Sequence, residues 1–260
     1  MAIFNLKGKT AIITGGGSGI GKAIASTFAE NGASVNILES DLNAANQTLN
    51  EIQKSGFKAI AHCVDVSKYE QVLDVVQGIG SQESVDLLVN NAGIAHVGTV
   101  ESTEEADFDR LYSVNVKGIF NCIKACIPLM KKAGKGSILN MGSVAASVGI
   151  KDRFAYSMTK GAVLSMTYSI AKDYLASNIR CNSISPARVH TPFVEGFIKK
   201  NYPGQEDEMF EKLSKTQPIG RMGTPIEIAS LALFLCSDEA GFITGTDYPI
   251  DGGFIKLNGK

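Results

Sequence analysis

At 260 residues the chain is long enough for one large α/β domain with a substantial core. Its near balance of charge, −1 at pH 7, argues against a nucleic-acid surface, and 44% hydrophobic with 20% charged residues is ordinary globular composition. The odd, scattered set of cysteines (Cys63, Cys122, Cys126, Cys181, Cys236) argues against a disulfide framework, so reduced thiols and a cytoplasmic location are expected. The amino end lacks the apolar core of a secretory signal, and no uncharged apolar run of about 18 residues occurs, so neither a leader nor a membrane span is expected. No histidines flank Cys122 and Cys126 at ligand spacing, so no metal is expected.

In chain order, "TAIIT" (10–14) reads as a strand and 21–32 as a helix closed at Asn31-Gly32. A strand over 34–39 and a helix over 42–56 follow. The next pair is a strand at 58–66 with a helix through "YEQVLDVVQGIG". "VDLLVNNAG" (85–93) is a fourth strand running into a loop, before a long helix over 108–134. The fifth strand is 136–143, the following helix 156–178, and the sixth strand 179–186. A last helix over 226–243 and a last strand over 247–251 complete the series.

This unbroken alternation predicts a single α/β domain over 1–260, a doubly wound (Rossmann) parallel sheet with helices on both faces. No linker or composition break divides it. The polar stretch 193–217 stands apart, and reads either as a substrate lid near the carboxyl ends of the strands or as a solvated surface excursion.

"TGGGSGIG" (14–21) lies between the first strand and the first helix. The strict G-x-G-x-x-G spacing is not met; Gly15, Gly19 and Gly21 fit G-x-x-x-G-x-G. Glycines there permit a tight turn and a close approach of backbone to a pyrophosphate at the helix amino end, where Ser18 and Ile20 also lie. Glu39 ends the second strand, placed to accept hydrogen bonds from the adenosine ribose of NAD and to repel a 2′-phosphate. NAD is therefore the expected cofactor.

Tyr156 and Lys160, four residues apart, share one helix face. A nearby ammonium favours phenolate, so Lys160 is expected to lower the tyrosine's pKa and fit Tyr156 to exchange a proton with an alcohol or carbonyl. Ser143 closes the fifth strand and can hydrogen-bond the reacting oxygen.

Taken together, "TGGGSGIG", "NNAG" (90–93), Asn115 in "SVNV", Asp65 in "VDV", Ser143, and Tyr156 with Lys160 resemble the short-chain dehydrogenase/reductase family across nearly the whole chain. The resemblance implies catalysis by Asn115, Ser143, Tyr156 and Lys160, with Asn115 helping to hold a water that relays a proton from Lys160. It implies that Lys160 also binds the nicotinamide ribose and that Asp65 and Val66 contact adenine. It further implies that Asn91, Ala92 and Gly93 line the cofactor, while Pro186, Val189 and Thr191 flank the nicotinamide amide. A homotetramer is expected on the same ground. One departure is Pro186-Ala187, where the family usually has Pro-Gly; a Cβ there narrows the permitted backbone and could crowd the pocket.

The leading functional reading is an NAD-dependent oxidoreductase acting on a secondary alcohol or ketone. Alternatives are a 3-oxoacyl-thioester reductase, a hydroxysteroid-type dehydrogenase and, from a different class, a non-catalytic NAD-sensing regulator. His96, Arg153 and Arg188 lie in three loops expected to converge on the substrate, which favours a small polar one: a sugar, sugar acid or hydroxy acid. Phe193, Phe197, Ile198 and Phe210 favour an apolar pocket instead.

Overall fold

The computed structural model describes residues 4–257. Its core is a seven-stranded sheet in the order β3-β2-β1-β4-β5-β6-β7, with every neighbouring pair parallel. The strands are β1 (Thr10–Thr14), β2 (Ser34–Glu39), β3 (Ala59–Cys63), β4 (Leu87–Asn90), β5 (Gly136–Met141), β6 (Ile179–Pro186) and β7 (Asp247–Ile250). Alternate side chains feed opposite faces. Ile13, Ile37 and Leu139 pack beneath α1 (Gly19–Glu30), α2 (Leu42–Lys54) and α9 (Pro225–Cys236). Their neighbours Ile12, Leu38 and Ile138 pack beneath α3 (Tyr69–Gln82), α5 (Gly118–Ala133) and α6 (Phe154–Asp173). Apolar layers on both faces explain why the strands read as continuous hydrophobic runs rather than alternating ones.

From β1 the chain winds outward to β2 and β3, then returns to place β4 on the other side of β1. That reversal opens a crevice at the carboxyl ends of β1 and β4, where ligands bind in such sheets. The strand expected over 58–66 is shorter than read, because Val64–Val66 leave the sheet to line this crevice, and Asn91–Gly93 form the expected loop after β4 in the same lining.

The helix expected over 108–134 is three pieces: α4 (Glu105–Tyr112), a π-helical turn (Ser113–Lys117) and α5. The extra residue of the π turn accommodates Asn115, whose side chain bonds elsewhere. The helices expected to end at 178 and 243 stop at Asp173 and Cys236, each followed by a 3-10 turn. The stretch 193–217 holds α7 (Pro192–Asn201) and α8 (Glu206–Lys215). Among the described residues no helix is long and apolar enough to cross a membrane.

Candidate active site

The site begins where β1 ends. Gly15 takes a left-handed φ of 66°, and a Cβ there would lie 2.8 Å from the Ala92 Cα. A Cβ at Gly21 would lie 2.0 Å from the Gly15 carbonyl oxygen. Neither position has room for a side chain, because the loop is drawn against the end of β4. Thr14 does the drawing: its Oγ1 accepts the N–H groups of Asn91 and Ala92, each at 3.0 Å. The Asn91 Nδ2 donates back to the carbonyls of Thr14 and Gly15, each at 3.1 Å. Ser18 precedes α1 without a side-chain cap, so the first-turn N–H groups are left for another acceptor. Ser18, Gly19 and Ile20 line the crevice; Gly21 lies behind them, packed on Gly15.

Glu39 stands beside this loop. Its Oε2 accepts the Gly17 N–H at 3.2 Å, and its Oε1 accepts the N–H groups of Ser40 (2.9 Å) and Asp41 (3.2 Å). Four partners on two oxygens, counting the Ser40 hydroxyl, fix the carboxylate at the edge of the crevice. Asp65 and Val66 line the same end, but the Asp65 Oδ1 is taken by the backbone and hydroxyl of Ser67 (2.9 and 2.7 Å).

At the other end, Ser143, Arg153, Tyr156 and Lys160 line the crevice with Pro186, Ala187, Arg188, Val189 and Thr191. Its volume is about 610 Å³. Lys160 is buried, with 6% of its surface exposed, and its Nζ donates to the Met141 carbonyl at 2.7 Å. Burial lowers its pKa to about 8. The same Nζ lies 5.7 Å from the centre of the Tyr156 ring. Tyr156 departs from expectation. Burial is the largest influence and raises the phenol's pKa, opposed by a hydrogen bond with Ser143 and by the charge of Arg153. The expected depression by Lys160 is not seen, because its ammonium is directed to a carbonyl and is itself disfavoured by burial.

Asn115 does not line the crevice. Its Oδ1 accepts the Ile94 N–H (2.8 Å), and its Nδ2 donates to the Ile94 carbonyl (2.9 Å) and the Thr159 hydroxyl (3.1 Å). It ties the loop after β4 to the helix that carries Tyr156 and Lys160. A Cβ at Gly93 would come within 3.3 Å of the Asn115 Oδ1 and 3.8 Å of the Lys160 Nζ, so all three positions meet.

His96 corrects the sequence reading: it lies outside the lining, with its Nε2 3.6 Å from Asp107 on α4. Its imidazole lies under Gly98, where a Cβ would be 2.7 Å from the His96 Cε1, and only its carbonyl reaches toward the site, accepting from Arg153. Of Phe193, Phe197, Ile198 and Phe210, expected to favour an apolar pocket, Phe193 alone lines the crevice. Phe197 meets Tyr202, Ile198 is buried, and Phe210 packs on His190. The Cβ of Ala187 needs no unusual backbone, since its φ is not positive. Ile150, Gln217 and Phe254 also line the crevice and carried no motif. Gln217 offers one signal, a polar residue between Thr216 and Pro218 at the end of the lid stretch.

A family profile described as enoyl-(acyl carrier protein) reductase matches residues 15–255. The dehydrogenase/reductase SDR family member 6 of Aquarana catesbeiana is 38% identical over 251 residues, covering 96% of this chain and 98% of that protein. A solved 7α-hydroxysteroid dehydrogenase, complexed with NADH and 7-oxo glycochenodeoxycholic acid, superposes with a TM-score of 0.89 at 36% identity, covering 96% of this chain and 95% of the other. A putative NAD(P)-dependent gluconate 5-dehydrogenase from Beutenbergia cavernae, solved with NADP at low occupancy, superposes with a TM-score of 0.90 at 29% identity, covering 98% and 99%. The glycine turn at the sheet's switch point, the tyrosine-lysine helix across the crevice and this likeness along the whole chain have one explanation: the protein belongs to the short-chain dehydrogenase/reductase family of oxidoreductases.

Proposed function

We propose that the protein is an NAD-dependent oxidoreductase that interconverts a secondary alcohol and its ketone. The observation that carries this reading is one crevice with a glycine turn and an uncapped helix amino end at one side and Ser143, Tyr156 and Lys160 at the other. The residues fit a nicotinamide dinucleotide. Gly15, Gly19 and the open first turn of α1 would hold the pyrophosphate, and Glu39 would receive the adenosine ribose. The crevice's cations, Arg153, Lys160 and Arg188, all lie at the opposite end, so nothing in its lining answers a 2′-phosphate beside Glu39.

The nicotinamide supplies or accepts the hydride. This chain's residues handle the proton. Tyr156, held as a neutral phenol by burial, donates its proton to the carbonyl oxygen during reduction and takes it back during oxidation. Ser143 donates a hydrogen bond to the same oxygen and fixes its position. Lys160 would hold the nicotinamide ribose and pass protons between Tyr156 and solvent through water, while Asn115, behind Gly93, ties its helix to the loop after β4. Turnover separates this reading from that of a non-catalytic sensor. Purified protein is screened against pooled secondary alcohols with NAD, following NADH absorbance, in wild type and Tyr156→Phe. NADH formation lost in the variant is expected; no turnover by wild type with any alcohol or ketone, at measurable nucleotide binding, refutes the reading in favour of a sensor.

The substrate is small and polar, a sugar, sugar acid or hydroxy acid, because of the side chains from the lid stretch only Phe193, Val194 and Gln217 enter the crevice and two arginines face it. Phe120 on α5 and Phe154 and Tyr168 on α6 are exposed, which supports assembly through these helices into the expected homotetramer. Light scattering at micromolar concentration checks it, and a monomer refutes it.

A further inference from the structure

Arg153 and Arg188 share a property that no other arginine near the site has. Both line the crevice, and neither is ion-paired with a carboxylate among the described residues. Arg221, nearby in sequence, is held instead in a two-pronged pair with Glu227 (2.9 and 2.7 Å). Arg153 is the cap residue that precedes α6, three residues before Tyr156, and its Nη1 donates to the His96 carbonyl at 3.0 Å. Arg188 follows β6, and its Nε donates to the Thr216 hydroxyl at 3.1 Å. Each fork is thus anchored by a single neutral acceptor, leaving most of its five N–H donors uncommitted.

The two charges also feel each other. Burial and the positive charge of Arg153 both lower the Arg188 pKa. Two partly buried guanidiniums facing one space without an anion are costly to keep. The only acids in the lining are Glu39 and Asp65, at the adenosine end and engaged in their own loops. The loop carrying Arg153 is also rigidly set: the Gly98 N–H donates to the Asp152 carbonyl (2.9 Å), and the Phe154 N–H to the Gly98 carbonyl (3.2 Å). Gln217, 2% exposed, accepts from the Arg188 N–H at 3.5 Å and braces the second arginine from the lid stretch.

We propose that Arg153 and Arg188 form a carboxylate subsite, so that the substrate is a short hydroxy acid and its product the corresponding oxo acid. The carboxylate sits between the two forks, at the end of the crevice that Tyr156 also lines, which places it close to the carbon that is oxidised. The inference rests on the reading of the crevice as a nicotinamide-dependent alcohol site, and it excludes neutral sugars and sterols as preferred substrates.

The test separates the subsite from the chemistry. With NAD-saturated protein, calorimetry measures binding of butanoate, of its neutral isostere butanamide, and of inorganic phosphate. The panel is wild type, Arg188→Gln, Arg188→Lys, Arg153→Gln and Lys151→Gln. Lys151 is exposed and outside the lining, so its variant removes a charge from the same loop without touching the subsite. Butanoate should bind and butanamide should not. Arg188→Gln and Arg153→Gln should each weaken butanoate at least about tenfold, the loss expected for one charged hydrogen bond. Arg188→Lys should recover only part of it, since lysine lacks the fork, and Lys151→Gln should change nothing. Equal binding of butanoate and butanamide, insensitivity to Arg188→Gln, or phosphate binding more tightly than butanoate each overturns the proposal. Because the readout is binding, absence of turnover would count against the alcohol chemistry alone. If Arg153→Gln fails to fold, Arg188→Gln decides the matter.

Discussion

Replacing Lys160 by methionine should stabilise the protein in the absence of nucleotide, although it destroys the proposed site. The structure gives the size of the effect. Burial moves the Lys160 pKa from 10.5 to about 8. At about 1.4 kcal/mol for each tenfold change in proton affinity, keeping the ammonium folded costs about 3.5 kcal/mol. The sign follows from linkage. Below pH 8 the lysine is charged in both folded and unfolded chains, and the whole penalty is present. Between about 8 and 10.5 the folded chain has lost the proton while the unfolded chain keeps it, so wild-type stability rises with pH. Above 10.5 both are neutral and the penalty is gone. Methionine fills a similar volume but leaves the Met141 carbonyl without its 2.7 Å donor, which takes back about 1 kcal/mol. Lys160→Met should therefore be more stable than wild type by about 2.5 kcal/mol at pH 7, with the gap gone before pH 10.5 and reversed by about 1 kcal/mol above it. Urea denaturation of both proteins at half-unit pH intervals measures it, at fixed protein concentration so that assembly does not confound the comparison. A variant less stable than wild type at pH 7, or a gap that does not narrow above pH 8, refutes the account of Lys160 as a charge held at a cost for function.

The remaining predictions concern the site. Tyr156→Phe should keep nucleotide affinity and lose turnover by about a hundredfold to ten-thousandfold, the usual worth of a general acid; near wild-type turnover in a steady-state assay would show that another group carries the proton. Since burial raises the phenol's pKa, ketone reduction should hold level through neutral pH and fall only in the alkaline range, whereas alcohol oxidation should climb with pH; matching optima near pH 7 in both directions would contradict this. Glu39→Ala should raise the efficiency with NADP relative to NAD by at least about tenfold, by removing a like charge from the 2′-phosphate position, and unchanged relative kcat/KM would dismiss Glu39 as the discriminator. Gly21→Ala should abolish nucleotide binding in a fluorescence titration and lower stability by about 1–3 kcal/mol, because its Cβ would lie 2.0 Å from the Gly15 carbonyl oxygen.

What the sequence made legible and what it concealed divide along a physical line. Strand runs such as 10–14, 34–39 and 179–186 match the structure residue for residue, since strands buried on both faces must be apolar throughout. The residues at strand ends, Glu39, Asp65, Ser143 and Pro186, could be placed in the crevice because the parallel topology itself delivers strand carboxyl ends to one edge. Contacts between segments distant in sequence were hidden. Thr14 reads as the last residue of a strand, yet its hydroxyl receives two N–H groups from 77 and 78 positions away. Asn115 reads as a proton-relay residue, but its side chain clamps Ile94 and Thr159 through a π turn with no mark in helical periodicity. His96 and Arg153 read as equivalent ligands from converging loops; the structure makes the first a backbone support for the second. The pKa of Tyr156 departs from what its spacing to Lys160 implies for the same reason. Spacing puts a lysine on its helix face, but how far each group is withdrawn from water depends on Met141, Ser143 and Arg153, which meet only in three dimensions. Residue identity and spacing thus locate where chemistry is done, while the electrostatic state in which it is done comes from packing, and the one feature that bridges the two here is charge that packing leaves unanswered: Arg153 and Arg188 were visible as arginines in the sequence, but only the absence of any carboxylate beside them in the described residues turns them into a statement about substrate.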